Sequence, residues 1–202
     1  LTLQATNLTV NENGVNFESD GIGLEERDGG RVEARLTSVT TNGNGENGLD
    51  IKADENDDDD PSEADSGALF VRLVNVVVRQ NLDHGLNIEE FSDGDLTFEA
   101  VNLHADDNGG DGAQIQEKGE GDNESRFWSS SADGNDDDGL QIEEAGDGDL
   151  DARLFTSSVS NNSDDGIKAD EDDAGSGELR LTLTSVTGNG GNDLDLDDVV
   201  LI

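Results

Sequence analysis

The chain has 202 residues and a formal net charge of −39, from 50 Asp and Glu against 11 Lys and Arg; it holds one proline, no cysteine and no methionine. That charge excludes nucleic acid, whose phosphates it repels, and the missing cysteines exclude disulfide stapling. No apolar run is long enough for membrane insertion, and sparse apolar residues at high charge are otherwise the mark of a disordered chain.

Order comes from where the apolar residues fall. Gly21, Gly48, Gly85, Gly112, Gly139 and Gly166 are separated by 27, 37, 27, 27 and 27 residues. Gly30, Gly67, Gly94, Gly121, Gly148 and Gly175 repeat the same intervals, including the single 37. A fixed period in this range marks a stack of similar coils, and the long interval is a ten-residue insertion in one turn. Residues 1–202 are thus expected to form a single domain of about seven coils.

Taken in chain order, the first coil is irregular: Phe17 stands where later coils carry Asn, and Gly14 where they carry an apolar residue. Ile22 and Leu24 then follow the Gly column, and Leu49/Ile51, Leu86/Ile88 and Leu140/Ile142 repeat the pair. Apolar residues at i and i+2 predict a short strand with one buried face. A second strand begins at Val32 and Leu36, repeated at Leu69/Leu73 and Leu150/Leu154. Next comes a polar corner, Ser38, Asn75, Asn102, Ser129 and Thr156, whose side chains suit a sharp bend. A third strand follows at Val39, Val76 and Leu103, with Val78, Ala105, Ala132, Val159 and Val186 beyond them. Asn44, Asn81, Asn108, Asn135, Asn162 and Asn189 close each coil; Asn accepts the left-handed conformation, which predicts turn formation there. The insertion, around Asp57-Asp58-Asp59-Asp60-Pro61-Ser62-Glu63, reads as a solvated acidic loop. Three strands per coil predict an all-β fold, a right-handed three-sheet parallel β-helix.

The units Asn135-Asp136-Asp137-Asp138-Gly139-Leu140-Gln141-Ile142 and Asn162-Ser163-Asp164-Asp165-Gly166-Ile167-Lys168-Ala169, with looser copies along the chain, resemble the pectin-lyase-like β-helix superfamily. The resemblance implies architecture more than activity, since that superfamily spans lyases, hydrolases, epimerases, tailspikes and non-catalytic surface proteins. Its polygalacturonate hydrolases carry G-H-G and R-I-K, and its alginate epimerases D-P-H-E; none of these occurs here. No catalytic set is therefore expected, and a lyase-like or carbohydrate-binding role is the alternative.

Stacking turns repeated residues into ladders with rungs about 4.8 Å apart. One ladder reads Glu26, Ala53, Glu90, Glu117, Glu144, Glu171 and Asp198; another reads Asp20, Asn47, His84, Asp111, Asp138, Asp165 and Asn192. Like charges at that spacing repel by about 1 kcal/mol in water and several at an effective dielectric near 20, against a total stability of about 5–15 kcal/mol. Something must offset this. Oxygen donors in number suit calcium, so Asp111, Asp138, Asp165, Glu90, Glu117, Glu144 and Glu171 are the expected metal ligands; a halophilic surface screened by salt is the compatible rival. Arg35, Arg72, Arg126, Arg153 and Arg180 form a third column, interrupted by Leu8 and Glu99 and flanked by Trp128 and Phe155. Arg and aromatic side chains favour interfaces, which makes Trp128, Phe155, Arg126 and Arg153 the expected contact or sugar-stacking residues. The sequence thus reads as a non-enzymatic, calcium-stabilised structural module, extracellular or at the cell surface. Unprotected β ends further suggest that copies stack end to end into filaments.

Overall fold

The structure, a computed structural model, describes residues 1–13, 19–27, 29–53, 67–172 and 174–202. The acidic insertion Asp57–Glu63, and Gly14 and Phe17 of the first coil, lie outside the described residues. The rest is a parallel β-solenoid of about seven turns without a helix.

One seven-stranded sheet contains Ile22–Glu26, Leu49–Ala53, Leu86–Glu90, Ala113–Glu117, Leu140–Glu144, Ile167–Glu171 and Leu194–Asp197. The other sheet, of thirteen strands, is two ladders joined where Leu69–Arg79 and Leu96–Asp106 run through both. Its first ladder includes Thr2–Thr6, Val32–Thr37, Asn123–Trp128, Leu150–Phe155 and Gly177–Thr182; its second includes Thr40–Asn42, Ser131–Asp133, Ser158–Ser160 and Ser185–Thr187. Each coil thus offers three faces, as three apolar columns require. Residues 27 apart pair in parallel, as with Ala113↔Leu140 and Arg126↔Arg153, and the 37-residue interval is absorbed between Leu49 and Leu86.

The core is a narrow apolar file. Leu36, Leu73, Leu86, Ile88, Leu96, Phe98, Ile115 and Phe127 are fully enclosed, and the Phe98 and Phe127 rings meet at 5.2 Å. Asn123 and Ser125 replace apolar residues in one coil, and they satisfy one another inside: Ser125 Oγ donates to Asn123 Oδ1 at 2.8 Å.

The polar corner is as expected. Asn7, Ser38, Asn75, Asn102, Ser129, Thr156 and Leu183 all adopt the left-handed conformation, with φ from 51° to 55°, and Asn102 Nδ2 donates to Asn75 Oδ1 at 3.0 Å. Leu183 is the misfit: a left-handed leucine that is 86% exposed. The left-handed region costs an ordinary L-residue about 1–2 kcal/mol. Leu183→Asn is therefore expected to raise stability by about 0.5–1 kcal/mol, read as a higher urea midpoint; an unchanged or lower midpoint would refute the strain.

The buried Asn column departs from its expected role. The left-handed residues stand one place earlier, at Glu12, Gly43, Gln80, Asp107, Gly134, Asn161 and Gly188. The Asn side chains instead point inward and form a continuous amide ladder. Asn108 donates both its backbone N–H and its Nδ2 to Asn135 Oδ1, at 3.0 and 3.1 Å, and Asn135 does the same to Asn162 at 3.0 and 2.9 Å. Asn13 joins the ladder through its backbone N–H to Asn44 Oδ1 at 3.1 Å.

That last bond corrects the first coil. Asn13, not Phe17, holds the column position, and pairing such as Gln4↔Arg35 runs at an interval of 31 residues rather than 27. Gln4 therefore precedes Arg35 in the arginine column, and Leu8 lies outside it. The extra length falls between Asn13 and Asp20, because Asp20 is back in step, accepting the Asn47 N–H at 3.1 Å. The last coil is cut short in the opposite sense. Asp198 turns left-handed instead of extending the glutamate ladder, and Val199 pairs with Gly177.

Candidate metal centre

The aspartate column sits at the turn just before each strand of the seven-stranded sheet. A side-chain acceptor on each rung takes the backbone N–H of the next rung. Asp111 Oδ1 takes the Asp138 N–H at 2.9 Å, and Asp138 Oδ1 takes the Asp165 N–H at 2.8 Å. Asn47 Oδ1 performs the same task for His84 N–H at 3.2 Å, and His84 Nδ1 for Asp111 N–H at 2.9 Å. The role thus needs an acceptor but no charge, which is why Asp, Asn and His share the column.

Each aspartate keeps a second oxygen free of that task. Asp111, Asp137 and Asp138 bring three carboxylate oxygens within 4.8 Å of one another, and Asp138, Asp164 and Asp165 do the same one coil on. Asp111, Asp138 and Asp165 are buried, whereas Asp137 and Asp164 are exposed. Each cluster therefore has two fixed ligands at its base and one at the surface. The sequence expectation included Asp111, Asp138 and Asp165 but missed Asp137 and Asp164. Their signal was the repeated Asp-Asp-Gly at 137–139 and 164–166, where other coils carry a single acid before Gly.

Electrostatics in the clusters favours a counter-charge. Burial raises the pKa of Asp138 to about 6; the backbone bond from Asp165 opposes the rise, and the Asp111, Asp137 and Asp165 carboxylates add to it. Burial raises that of Asp137 as well, with help from Asp111 and Asp164. His84 adjoins the first cluster, its Nδ1 3.3 Å from Asp111 Oδ2. Burial pulls its pKa down, but Asp111 and the carboxylates of Asp83 and Asp137 more than offset this and raise it. Hard oxygen ligands at a partly dry site match a cation such as calcium or magnesium rather than a soft metal.

The glutamate column is placed elsewhere. Glu90, Glu117, Glu144 and Glu171 occupy the last position of their strands, pointing inward; Glu90, Glu117 and Glu144 have no exposed surface. They belong to neither aspartate cluster. Ladders so buried are screened little by salt, so a salt-screened surface would not relieve this row.

The arginine column is formed as expected, with Arg35, Arg72, Glu99, Arg126, Arg153 and Arg180 in register. The guanidinium groups are engaged locally: Arg126 with Glu124 at 2.9 Å, Arg153 with Asp151 at 2.5 Å, and Arg35 with Glu33 while lying over the Phe70 ring. Trp128 and Phe155 point outward, half-buried, with rings nearly parallel at 8° and centroids 5.9 Å apart. They make a small flat apolar platform beside Arg126 and Arg153, whose charges are already paired.

No family model matches this chain, and no curated protein or solved structure matches it.

Proposed function

We propose that this chain is a non-enzymatic, acidic β-solenoid scaffold whose aspartate clusters bind a hard divalent cation, calcium foremost. The observation that carries the reading is Asp138, a buried carboxylate common to two stacked three-carboxylate groups. Charge of this density near the turns costs stability unless a cation or a proton offsets it. A cation bound between adjacent coils would tie them together, since its ligands come from successive turns. Extracellular calcium modules work at about 10⁻⁴–10⁻³ M, which suits sites open on one side and accords with an extracellular or cell-surface scaffold. The in-register parallel ladders supply the geometry that end-to-end association of copies would continue. Kinship with the pectin-lyase-like superfamily is proposed at the level of architecture, not activity.

Asp138→Asn tests the reading cleanly, because Asn keeps the acceptor that the column requires, as Asn47 does. Calcium at a hundred times its Kd is expected to stabilise the parent protein by about 2.7 kcal/mol per site. In Asp138→Asn most of that gain should vanish, while the variant melts above the parent in EDTA because a repelling charge is gone. Identical melting of the parent protein in calcium and in EDTA would remove the proposal. Protons compete for the same carboxylates, so calcium affinity should weaken as the pH falls through about 6, where Asp138 takes up its proton.

A further inference from the structure

The glutamate row poses a different chemical problem from the aspartate clusters. Oε1 of Glu117 and of Glu144 accepts the turn N–H of Gly119 and Gly146, each at 2.8 Å, and Oε1 of Glu90 accepts that of Ser92 at 3.0 Å and its hydroxyl. The second oxygen of Glu90, of Glu117 and of Glu144 is fully enclosed and has no hydrogen-bond donor among the described residues. A buried carboxylate oxygen without a donor is among the costliest groups a protein can hold. The nearest ionisable neighbours of these glutamates are one another: Glu90, Glu117, Glu144 and Glu171 pair in register on successive parallel strands, and the carboxyls of Glu117 with Glu90 and Glu144, and of Glu171 with Glu144, interact. Two such groups are compatible only if a proton lies between them.

We propose that Glu90, Glu117, Glu144 and Glu171 form a proton-binding row, in which a carboxyl of one coil donates its proton to the unpartnered carboxylate oxygen of the next. The row neutralises the solenoid interior in neutral solution and destabilises it when emptied in alkali. The aspartate clusters reach solvent through Asp137 and Asp164, whereas the enclosed glutamates take the one cation that needs no such access.

Among the described residues, no Lys, Arg or His forms an ion pair with any of the four glutamates. The charged neighbours acting on the row are themselves carboxylates, Asp93 beside Glu90 and Asp149 beside Glu171. Lys118, next in the chain to Glu117, turns outward to Glu89 at 2.7 Å. The strand packed across from the row presents Asn123 and Ser125, both neutral, and Asn123 Nδ2 donates to the Glu143 carbonyl at 2.8 Å. Ala53 replaces the acid on the rung before Glu90 and so ends the row there. Burial accordingly pushes the Glu90 and Glu171 carboxyls up to about 7 and that of Glu117 to about 9, the latter with added repulsion from Glu90.

A carboxyl that holds its proton more tightly when folded contributes stability that is complete below its unfolded pKa of 4.5 and is lost as the pH rises through the folded value. The test keeps EDTA present throughout, so that the aspartate clusters carry no metal. In the parent protein the unfolding constant should rise about tenfold per pH unit for each proton retained, hence about a hundredfold between pH 7 and 9 for one. Glu117→Gln, which keeps an acceptor for Gly119 and donates permanently to its neighbours, should flatten that dependence. Carbon-13 titration of the glutamate side chains in the parent protein gives the direct readout and requires no variant to fold. Side-chain titrations in the ordinary range near pH 4–5, or row carboxyl signals that move with calcium at constant pH, would overturn the proposal.

Discussion

Asn135→Ala is expected to remove about 3–6 kcal/mol of folding stability, a large part of what a domain of this kind possesses. Its Oδ1 accepts from both the backbone and the side chain of Asn108, and its Nδ2 donates to Asn162 Oδ1 at 2.9 Å and to the Ala105 carbonyl at 3.1 Å. Alanine deletes all four bonds in a place that water does not reach. Asn108 Nδ2 keeps a partner in the Val78 carbonyl at 3.3 Å, but its backbone N–H is stranded. Each stranded buried group costs about 1–3 kcal/mol, and the lost side chain leaves a void besides. Asn189, the half-buried last member of the same ladder, provides the comparison: its Nδ2 donates only to Asp193 Oδ1, so Asn189→Ala should cost less, about 1–3 kcal/mol for the Asn162 N–H that it strands. Urea unfolding of the two variants measures the contrast, and equal midpoints would mean that the ladder contributes nothing beyond ordinary turn chemistry.

Gly139→Ala should be worse still, at more than about 4 kcal/mol, and is expected to abolish cooperative folding at ambient temperature. A Cβ at that position would lie 2.3 Å from Val159 Cγ1, 2.5 Å from Asn162 Nδ2 and 2.6 Å from the Gly166 carbonyl oxygen. The last of these belongs to the backbone of the next coil, so relief requires prising two rungs apart. Gly23 is a matched control within the same sheet, since a Cβ there meets nothing nearer than Asp20 Oδ2 at 3.8 Å. Gly23→Ala should be neutral or stabilising by about 0.5 kcal/mol, because alanine restricts the unfolded chain. Circular dichroism melts of the pair decide the matter; a Gly139→Ala protein melting like Gly23→Ala would contradict the close stacking of coils.

The architecture was legible because each coil repeats the same demand. Leu86, Ala113, Leu140 and Ile167 are in register for the same reason that they are apolar, and one period organises every column. Where the period changes, counting fails: the longer first coil displaced Leu8 into a column that belongs to Gln4, and the shortened last coil removed Asp198 from its ladder. The inward course of the glutamates was also written in the strand. Leu86, Ile88 and Glu90 alternate with two-residue spacing, so all three share one face. The charge of the glutamates alone would place them in water, and the alternation decides against it. Asp137 and Asp164 were hidden for another reason: their column holds Asp83 and Gly110 in neighbouring coils, so repetition did not single them out. No column count could show that the Asn residues use their amides rather than their backbone freedom, because both uses select the same residue.

The amide ladder has a directional consequence. From Asn44 to Asn162, every bond between the amide side chains runs the same way, Nδ2 of one coil to Oδ1 of the following one. Dipoles aligned head to tail strengthen one another, and the file therefore acts as a polar spine threaded through an otherwise oily shaft. Its electrical asymmetry distinguishes one axial direction from the other at every level of the stack. Neighbouring turns are joined by a coupling that apolar contact alone would not supply, so a rupture in mid-shaft weakens the rungs above and below it instead of remaining a local wound.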